Sequence, residues 1–151
     1  MRFVDLDPSD LTLFARAGEV LRASHHAERH QVAAAMLGTS GRVHVGLHLG
    51  SRRVNVCAES SALASARIAD ETGIVTAVAV CLGETGIPQV TNPCGVCREL
   101  MGAYCPEARV LLDVQGEVRK AVAEDLMPLP WLRPEETSWT VMAPALRKRT
   151  D

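Results

Sequence analysis

The chain has 151 residues, 47% hydrophobic and 23% charged, which suits one soluble globular domain around one core. Its formal net charge of -2 removes the electrostatic case for general nucleic-acid binding. No apolar run approaches the roughly 20 residues needed to cross a bilayer, and the acidic start MRFVDLDPSD lacks the features of a secretion signal, so the expected compartment is the cytoplasm.

Asp7-Pro8-Ser9-Asp10 carries a capping residue and early acids, and predicts a helix from Pro8 to about Ala23. Its apolar spacing places Leu11, Phe14, Ala15, Val20 and Leu21 near one face. SHHAERH is a polar loop; its His25, His26 and His30 lack a carboxylate at metal-binding spacing and are read as facing solvent or a subunit contact. QVAAAML and RVHVGLHL are strand-like runs separated by the turn signal GTSG, and read as a hairpin. NVCAESSALASARIADETG fits an amphipathic helix with Ala62, Leu63, Ala66 and Ala69 on its apolar side and Gly73 at its end. IVTAVAVCL is a buried strand, with Cys81 a core thiol. CGVCRELMGAYC is a further helix, stopped near Pro106. RVLLDV and EVRKAV are two more strands around Gln115-Gly116. The tail from Trp131 to Asp151 is interrupted by proline and ends in the basic RKR. Alternation of strands and helices in the middle of the chain predicts an α/β layer fold, with sites at the strand ends where helices begin.

Five cysteines (Cys57, Cys81, Cys94, Cys97 and Cys105) in a reducing compartment read as thiols or metal ligands rather than disulfides. Cys57 in VCAES and Cys94 in NPCGVC each open a predicted helix. The positive end of a helix favours thiolate, the form that binds zinc. Cys94 and Cys97 stand at i and i+3 and face one way. Two such helix starts side by side would bring three sulfurs to one ion and leave a fourth position open for water, the pattern of a catalytic site. Glu59, two residues beyond Cys57, would then stand beside that water, placed to take and return a proton. Two other readings compete. A Cys-x-x-Cys alone serves as a redox pair, but such a pair does not call for a distant CAE. A closed four-cysteine knot would need Cys105, about 12 Å along the same helix from Cys97.

CAE followed by PCGVCR, with 36 residues between Cys57 and Cys94, resembles the zinc-dependent cytidine deaminases of the small three-cysteine kind. HQVAAAMLGTSGRVHVGLHLG and EDLMPLP are similar to flanking parts of that family, so the likeness spans about Val20 to Pro130. The resemblance implies a three-layer α/β fold, with a mixed five-stranded sheet and helices on both faces. It divides the chain into a catalytic domain at 1–130 and a C-terminal extension at 131–151, packed on the domain or on a neighbouring subunit. Carried over, Cys57, Cys94 and Cys97 bind Zn²⁺ and Glu59 shuttles protons while the ring amino group leaves as ammonia. The Ala58 N–H holds the ring carbonyl, the Pro93 carbonyl accepts from the amine, and Arg98 hydrogen-bonds ligand sulfur. The implied partners are a small nucleoside or base and further copies of the chain, in a dimer or tetramer, with no nucleic acid and no membrane.

The sequence departs from that family at the substrate end. His48 and Gly50 stand where the family's Asn-x-Glu holds the sugar hydroxyls, so His48 is the candidate substrate contact. Ser60 stands where many relatives carry a second arginine. Arg52 and Arg53 precede the first metal-binding helix and would favour an anionic group, or form a solvated surface pair. Blasticidin S deaminases look similar in the first two respects. A cytosine nucleoside, a modified nucleoside such as blasticidin S, and a zinc-containing homologue that binds without turnover therefore all stay open.

Overall fold

The computed structural model describes residues 1–136; most of the tail read from Trp131 to Asp151, its basic RKR included, lies outside them. Helix α1 spans Pro8–Ser24. The Asp7 side chain accepts from the Ser9 and Asp10 N–H groups, and the Asp10 side chain accepts from the Asp7 N–H, a capping box that fixes the first turn. The buried face is Asp10, Leu13, Ala17, Gly18 and Leu21, so of the expected face only Leu21 is fully buried. Leu11 is 59% exposed and Ala15 faces solvent, whereas Phe14 and Val20 only flank the core. The phase is set by Asp10, drawn inward by the Lys120 ammonium 2.7 Å away.

Strands β1 (Val32–Gly38) and β2 (Val43–Leu47) form the expected antiparallel hairpin, with Ala34 opposite Gly46. Short strands β3 (Leu49–Gly50) and β4 (Asn55–Val56) form a separate ladder that had no sequence signal. Helix α2 covers Ala58–Ile68. It ends before Gly73 because Asp70 takes a left-handed conformation (φ 55°). Strand β5 (Ile74–Leu82) is followed by β6 (Pro88–Val90), for which the sequence carries no clear strand signal, and by α3 (Gly95–Tyr104). Strands β7 (Arg109–Val114) and β8 (Glu117–Val122) close the sheet. Their turn uses left-handed Gln115 and Gly116, and the Asp113 carboxylate accepts from the Gly116 N–H at 2.7 Å.

The sheet order is β2-β1-β5-β7-β8, with β6 paired to β5 as a sixth strand. Central β5 runs antiparallel to β1 and parallel to β7, so the sheet is mixed as expected. Side chains alternate along it. Ala33, Ala35, Val78, Val80 and Leu111 pack with Leu13, Ala17 and Leu21 of α1. Ala34, Met36, Ala77, Ala79, Val110 and Leu112 pack with Ala62, Ala66 and Met101 of α2 and α3. The result is three layers. Two buried carboxylates tie it together. Asp10 pairs with Lys120, while Glu71 accepts from the Thr39 hydroxyl (3.0 Å), the Ser40 N–H (3.2 Å) and the Ser40 hydroxyl, and lies 3.2 Å from His44 Nε2. Cys81 is only half-buried near the end of β5, so it is not the core thiol expected; Tyr104 is 52% exposed, with Arg67 stacked 5.6 Å from its ring centre.

Candidate metal centre and active site

Cys57 caps the N-terminus of α2 and Cys94 that of α3, with Cys97 buried in the first turn of α3. The loop before α3 is pinned at several points. The Thr91 N–H donates to the Ala79 carbonyl, and the Asn92 amide exchanges two 2.9 Å hydrogen bonds with the Asp113 backbone. These contacts bring the two helix starts together. The Cys57 and Cys94 sulfurs lie 3.5 Å apart, those of Cys94 and Cys97 3.7 Å, and all three fall within 4.8 Å of one another. Tetrahedral ligands at about 2.3 Å from zinc stand about 3.8 Å apart. Three thiols at this spacing fit one thiophilic divalent cation.

The electrostatics without an ion show what the cation would do. Burial pushes the Cys57 thiol up, and its contact with Cys94 adds to that. Burial also pushes Cys97 up strongly, with the Glu59 carboxylate adding to it. For Cys94 burial is outweighed by donation from the Cys97 and Val96 N–H groups and by the neighbouring thiols, so this thiol is lowered. The start of α3 therefore favours one thiolate, and three need a positive charge among them. The Ser60 hydroxyl lies 4.0 Å from the Cys97 sulfur, at the position where an arginine is absent.

Glu59 is 8% exposed, and burial raises its carboxyl above the ordinary range. It lines a cavity of about 220 Å³ with Cys57, Cys94, Ala58, Val32 and His48, closed by Thr91 and Asn92. Larger hollows lie elsewhere, among them two of mostly apolar lining. One, of about 470 Å³, sits beside Phe14 and Val90; the other, of about 550 Å³, lies beside Trp131. Neither holds the sulfur cluster, so chemistry rather than volume marks the site.

The structure brings Ala58 to the cavity wall and Pro93 to the loop just before Cys94. The hydrogen bonds of Arg98 go to backbone rather than to sulfur. Its Nε donates to the Pro93 carbonyl at 2.9 Å and its Nη1 to the Leu126 carbonyl at 3.4 Å. Cys105 caps the C-terminus of α3, outside the sulfur cluster. His48 reaches the cavity, but both ring nitrogens are engaged. The Gln31 N–H donates to Nδ1 (3.3 Å), which leaves the ring proton on Nε2 to donate to the Asn55 Oδ1 (3.1 Å). Gly50 sits against this pair: a Cβ there would be 3.1 Å from His48 Cε1 and 3.3 Å from Asn55 Oδ1. His30 donates from Nδ1 to the His48 carbonyl at 2.9 Å, a role the polar loop did not reveal. Arg52 and Arg53 are exposed on the turn between β3 and β4. Asn55, Thr91 and Asn92 were missed; small polar residues before a helix start carry too little signal to separate them from ordinary loop residues.

A blasticidin-S deaminase from Bacillus cereus is 33% identical to this chain over 141 residues, 88% of this chain and 99% of that protein. A cytidine deaminase from Halalkalibacterium halodurans is 32% identical over 104 residues, 66% of this chain and 76% of that protein. The chain belongs to the cytidine deaminase family. The crystal structure of a cytidine deaminase from Mycobacterium tuberculosis shares the fold, with a TM-score of 0.68 and 22% identity over 84% of this chain and all of that one. No family model matches the chain. Cytidine deaminase membership fits the three layers and the mixed sheet. Among the described residues, no helix is long and apolar enough to cross a membrane.

Proposed function

We propose that the chain is a zinc-dependent hydrolase that replaces the ring amino group of a cytosine nucleoside, or of a related aminated heterocycle, with oxygen and releases ammonia. The observation that carries this is the buried Glu59 carboxylate lining one cavity with Cys57 and Cys94, whose sulfurs cluster with that of Cys97. Cys57, Cys94 and Cys97 would hold Zn²⁺. When bound, the metal supplies Lewis-acid activation of water near neutral pH.

The remaining steps belong to the chain. Glu59 takes one proton from the attacking water and delivers it to the ring nitrogen beside the reacting carbon; it then takes the second from the hydroxyl now on that carbon and delivers it to the leaving amine. The C–O bond forms first, and the C–N bond breaks as that oxygen becomes the carbonyl, so water and substrate balance the keto product and ammonia. The Ala58 N–H lies in the first turn of α2, has no partner within the helix, and is offered to the ring carbonyl. The Pro93 carbonyl, steadied by Arg98 through one lone pair, keeps the other for the departing amine. Val32 supplies an apolar wall for the base.

A cavity of about 220 Å³ is below the 300–1,000 Å³ usual for a whole drug-sized ligand. It takes the base and leaves the remainder of the substrate at the rim. There His48 offers its ring, and Asn55, its oxygen engaged, offers its Nδ2 donors. Among the described residues no carboxylate lines this cavity besides Glu59, so the grip they offer a sugar diol is weak. That favours blasticidin S as the second substrate reading, in line with the near full-length match to the Bacillus cereus enzyme. The expected place of action is the cytoplasm. The expected assembly is a homo-oligomer, either dimer or tetramer, with exposed Leu49, Val54 and Val56 beside the rim and Trp131, 78% exposed, as contact candidates.

The test is ammonia release by the zinc-loaded protein from cytidine, deoxycytidine, CMP, cytosine, blasticidin S and aminopurines. Release from at least one pyrimidine is expected; silence across the panel with zinc bound refutes the reading.

A further inference from the structure

Gly46 lies on β2, opposite Ala34 of β1, and faces the first turn of α2. A Cβ built on Gly46 would overlap the Ala58 carbonyl oxygen and the Ala62 nitrogen, and would lie 2.8 Å from the Ala62 α-carbon. All three are backbone atoms, so no side chain can swing aside. Even the last of these distances falls well short of the 3.4 Å at which ordinary van der Waals packing begins. Ala34, Ala58 and Ala62 are fully buried in the same cluster, so the turn has no slack beside it. The Ser61 N–H donates to the Cys57 carbonyl at 3.1 Å, so the helix is continuous from the residue that bears the first sulfur. Any lift of Ala58 and Ala62 carries Cys57 and Glu59 with it.

We propose that Gly46 is a positioning residue: by lacking a side chain it lets the first turn of α2 rest on β2 at the depth where the Cys57 sulfur and the Glu59 carboxylate meet α3. Metal sites hold their distances to about 0.2 Å, and a misplacement of about 1 Å costs about 100-fold in rate. Relieving the overlap takes a shift of about 1 Å, which is large for the site. The inference rests on the proposed metal-dependent deamination, but its test does not depend on turnover.

The experiment compares Gly46→Ala with Gly38→Ala. Gly38 ends β1, and a Cβ there would overlap the Glu71 carboxylate and lie 2.7 Å from its Cγ, an equally close approach, made to a buried side chain away from the sulfur cluster. Both proteins are loaded with Co²⁺, and the sulfur-to-cobalt absorption, the cobalt affinity and the melting temperature are read. Gly46→Ala is expected to shift the absorption and weaken affinity at least tenfold. Gly38→Ala is expected to melt lower while keeping the wild-type absorption and affinity. On the best substrate from the panel, kcat falls about 10- to 100-fold for Gly46→Ala alone.

If Gly46→Ala does not fold, Ala34→Val is used in its place. It adds two methyl groups to the cross-strand neighbour, pressing on the same turn through a side chain. It is expected to show the same changes to a smaller degree. A folded Gly46→Ala with wild-type absorption and affinity overturns the proposal. So does an unchanged Ala34→Val where that variant is the test, or the same spectral change in Gly38→Ala. A wild type that binds cobalt through sulfur but deaminates nothing refutes the deaminase reading and leaves this comparison intact. A wild type that binds no cobalt overturns both.

Discussion

Glu59→Gln separates chemistry from architecture at one position. The side chain keeps its length and shape in the 220 Å³ cavity, so neither packing nor the sulfur cluster should move. What it loses is the ability to carry a proton. A positioned acid–base group is worth about 10²- to 10⁴-fold in rate. Glu59 is assigned every transfer in the cycle, which places the loss near the upper end, about 10⁴-fold or about 5 kcal/mol of barrier. Stability should move the other way or not at all, because a buried amide needs less desolvation than a buried carboxylate. The assay measures kcat, zinc content and melting temperature on the same preparation. Zinc content near one per chain, melting no lower than wild type and a rate down by at least 100-fold is the expected set. A rate within tenfold of wild type at full zinc occupancy would refute the proton-shuttle assignment. Lost zinc and a lowered melting point would instead make Glu59 a structural carboxylate.

Cys94→Ala removes the sulfur that the start of α3 favours as thiolate, so zinc content should fall to a small fraction of wild type by metal analysis. Chelation of the wild type should likewise lower its melting temperature, since metal bound only by the folded state stabilises it. His48→Ala should raise KM with little change in kcat, because the ring lies at the rim rather than at the reacting carbon. Glu71 tests the fold alone. The Ser40 hydroxyl, with help from His44, the Ser40 N–H and the Thr39 hydroxyl, holds its carboxyl at about 2, against an ordinary 4.5. A folded-state value below the unfolded one stabilises the protein above pH 4.5 and loses that contribution as pH falls toward 2. Urea midpoints should therefore drop across that window in the wild type, and less steeply in Glu71→Gln.

The metal-binding side of the site was legible because its residue types are scarce and their positions tightly constrained. Three cysteines at helix starts and a carboxylate two residues on leave few alternatives; the structure clusters the three sulfurs and lines one cavity with Cys57, Cys94 and Glu59. The hairpin, α1 and the β7–β8 turn were readable from period and turn chemistry for the same reason. What failed was tertiary. The buried face of α1 follows the Asp10–Lys120 pair, whose members lie at opposite ends of the chain, where no local period reaches. Strand β6 is three residues beginning with proline, and exists because β5 and β7 pair only at Thr76 and Ala77, leaving an edge beyond them. Arg98 was expected against sulfur, but its guanidinium spans Pro93 and Leu126, since the cap at Cys94 turns the preceding carbonyl toward it.

The scarcity of aromatic residues, 3% of the chain, bears on how such a site is built. The sheet face beneath α2 and α3 carries Ala34, Gly46, Ala77 and Ala79 beside Met36, met by Ala58, Ala62 and Ala66 from α2. Large side chains would hold helix and sheet the usual distance apart. Small ones let the α2 backbone settle onto the strands, with its N-terminal turn level with that of α3. The catalytic apparatus assigned here uses backbone as much as side chain: the Ala58 N–H, the Pro93 carbonyl and the unpaired N–H groups that favour the Cys94 thiolate. Backbone groups cannot reach out as a lysine or arginine can, so the elements that carry them must be brought close. An alanine-rich interface weakens the hydrophobic stabilisation per residue, at about 25 cal/mol per Å² buried, and in return sets two helix starts within sulfur–sulfur contact. On this argument the composition and the chemistry are one feature. Enlarging the alanines under the first turn of α2 should impair metal binding before it impairs folding, whereas enlarging Ala33 or Ala35 on the α1 face should do the reverse.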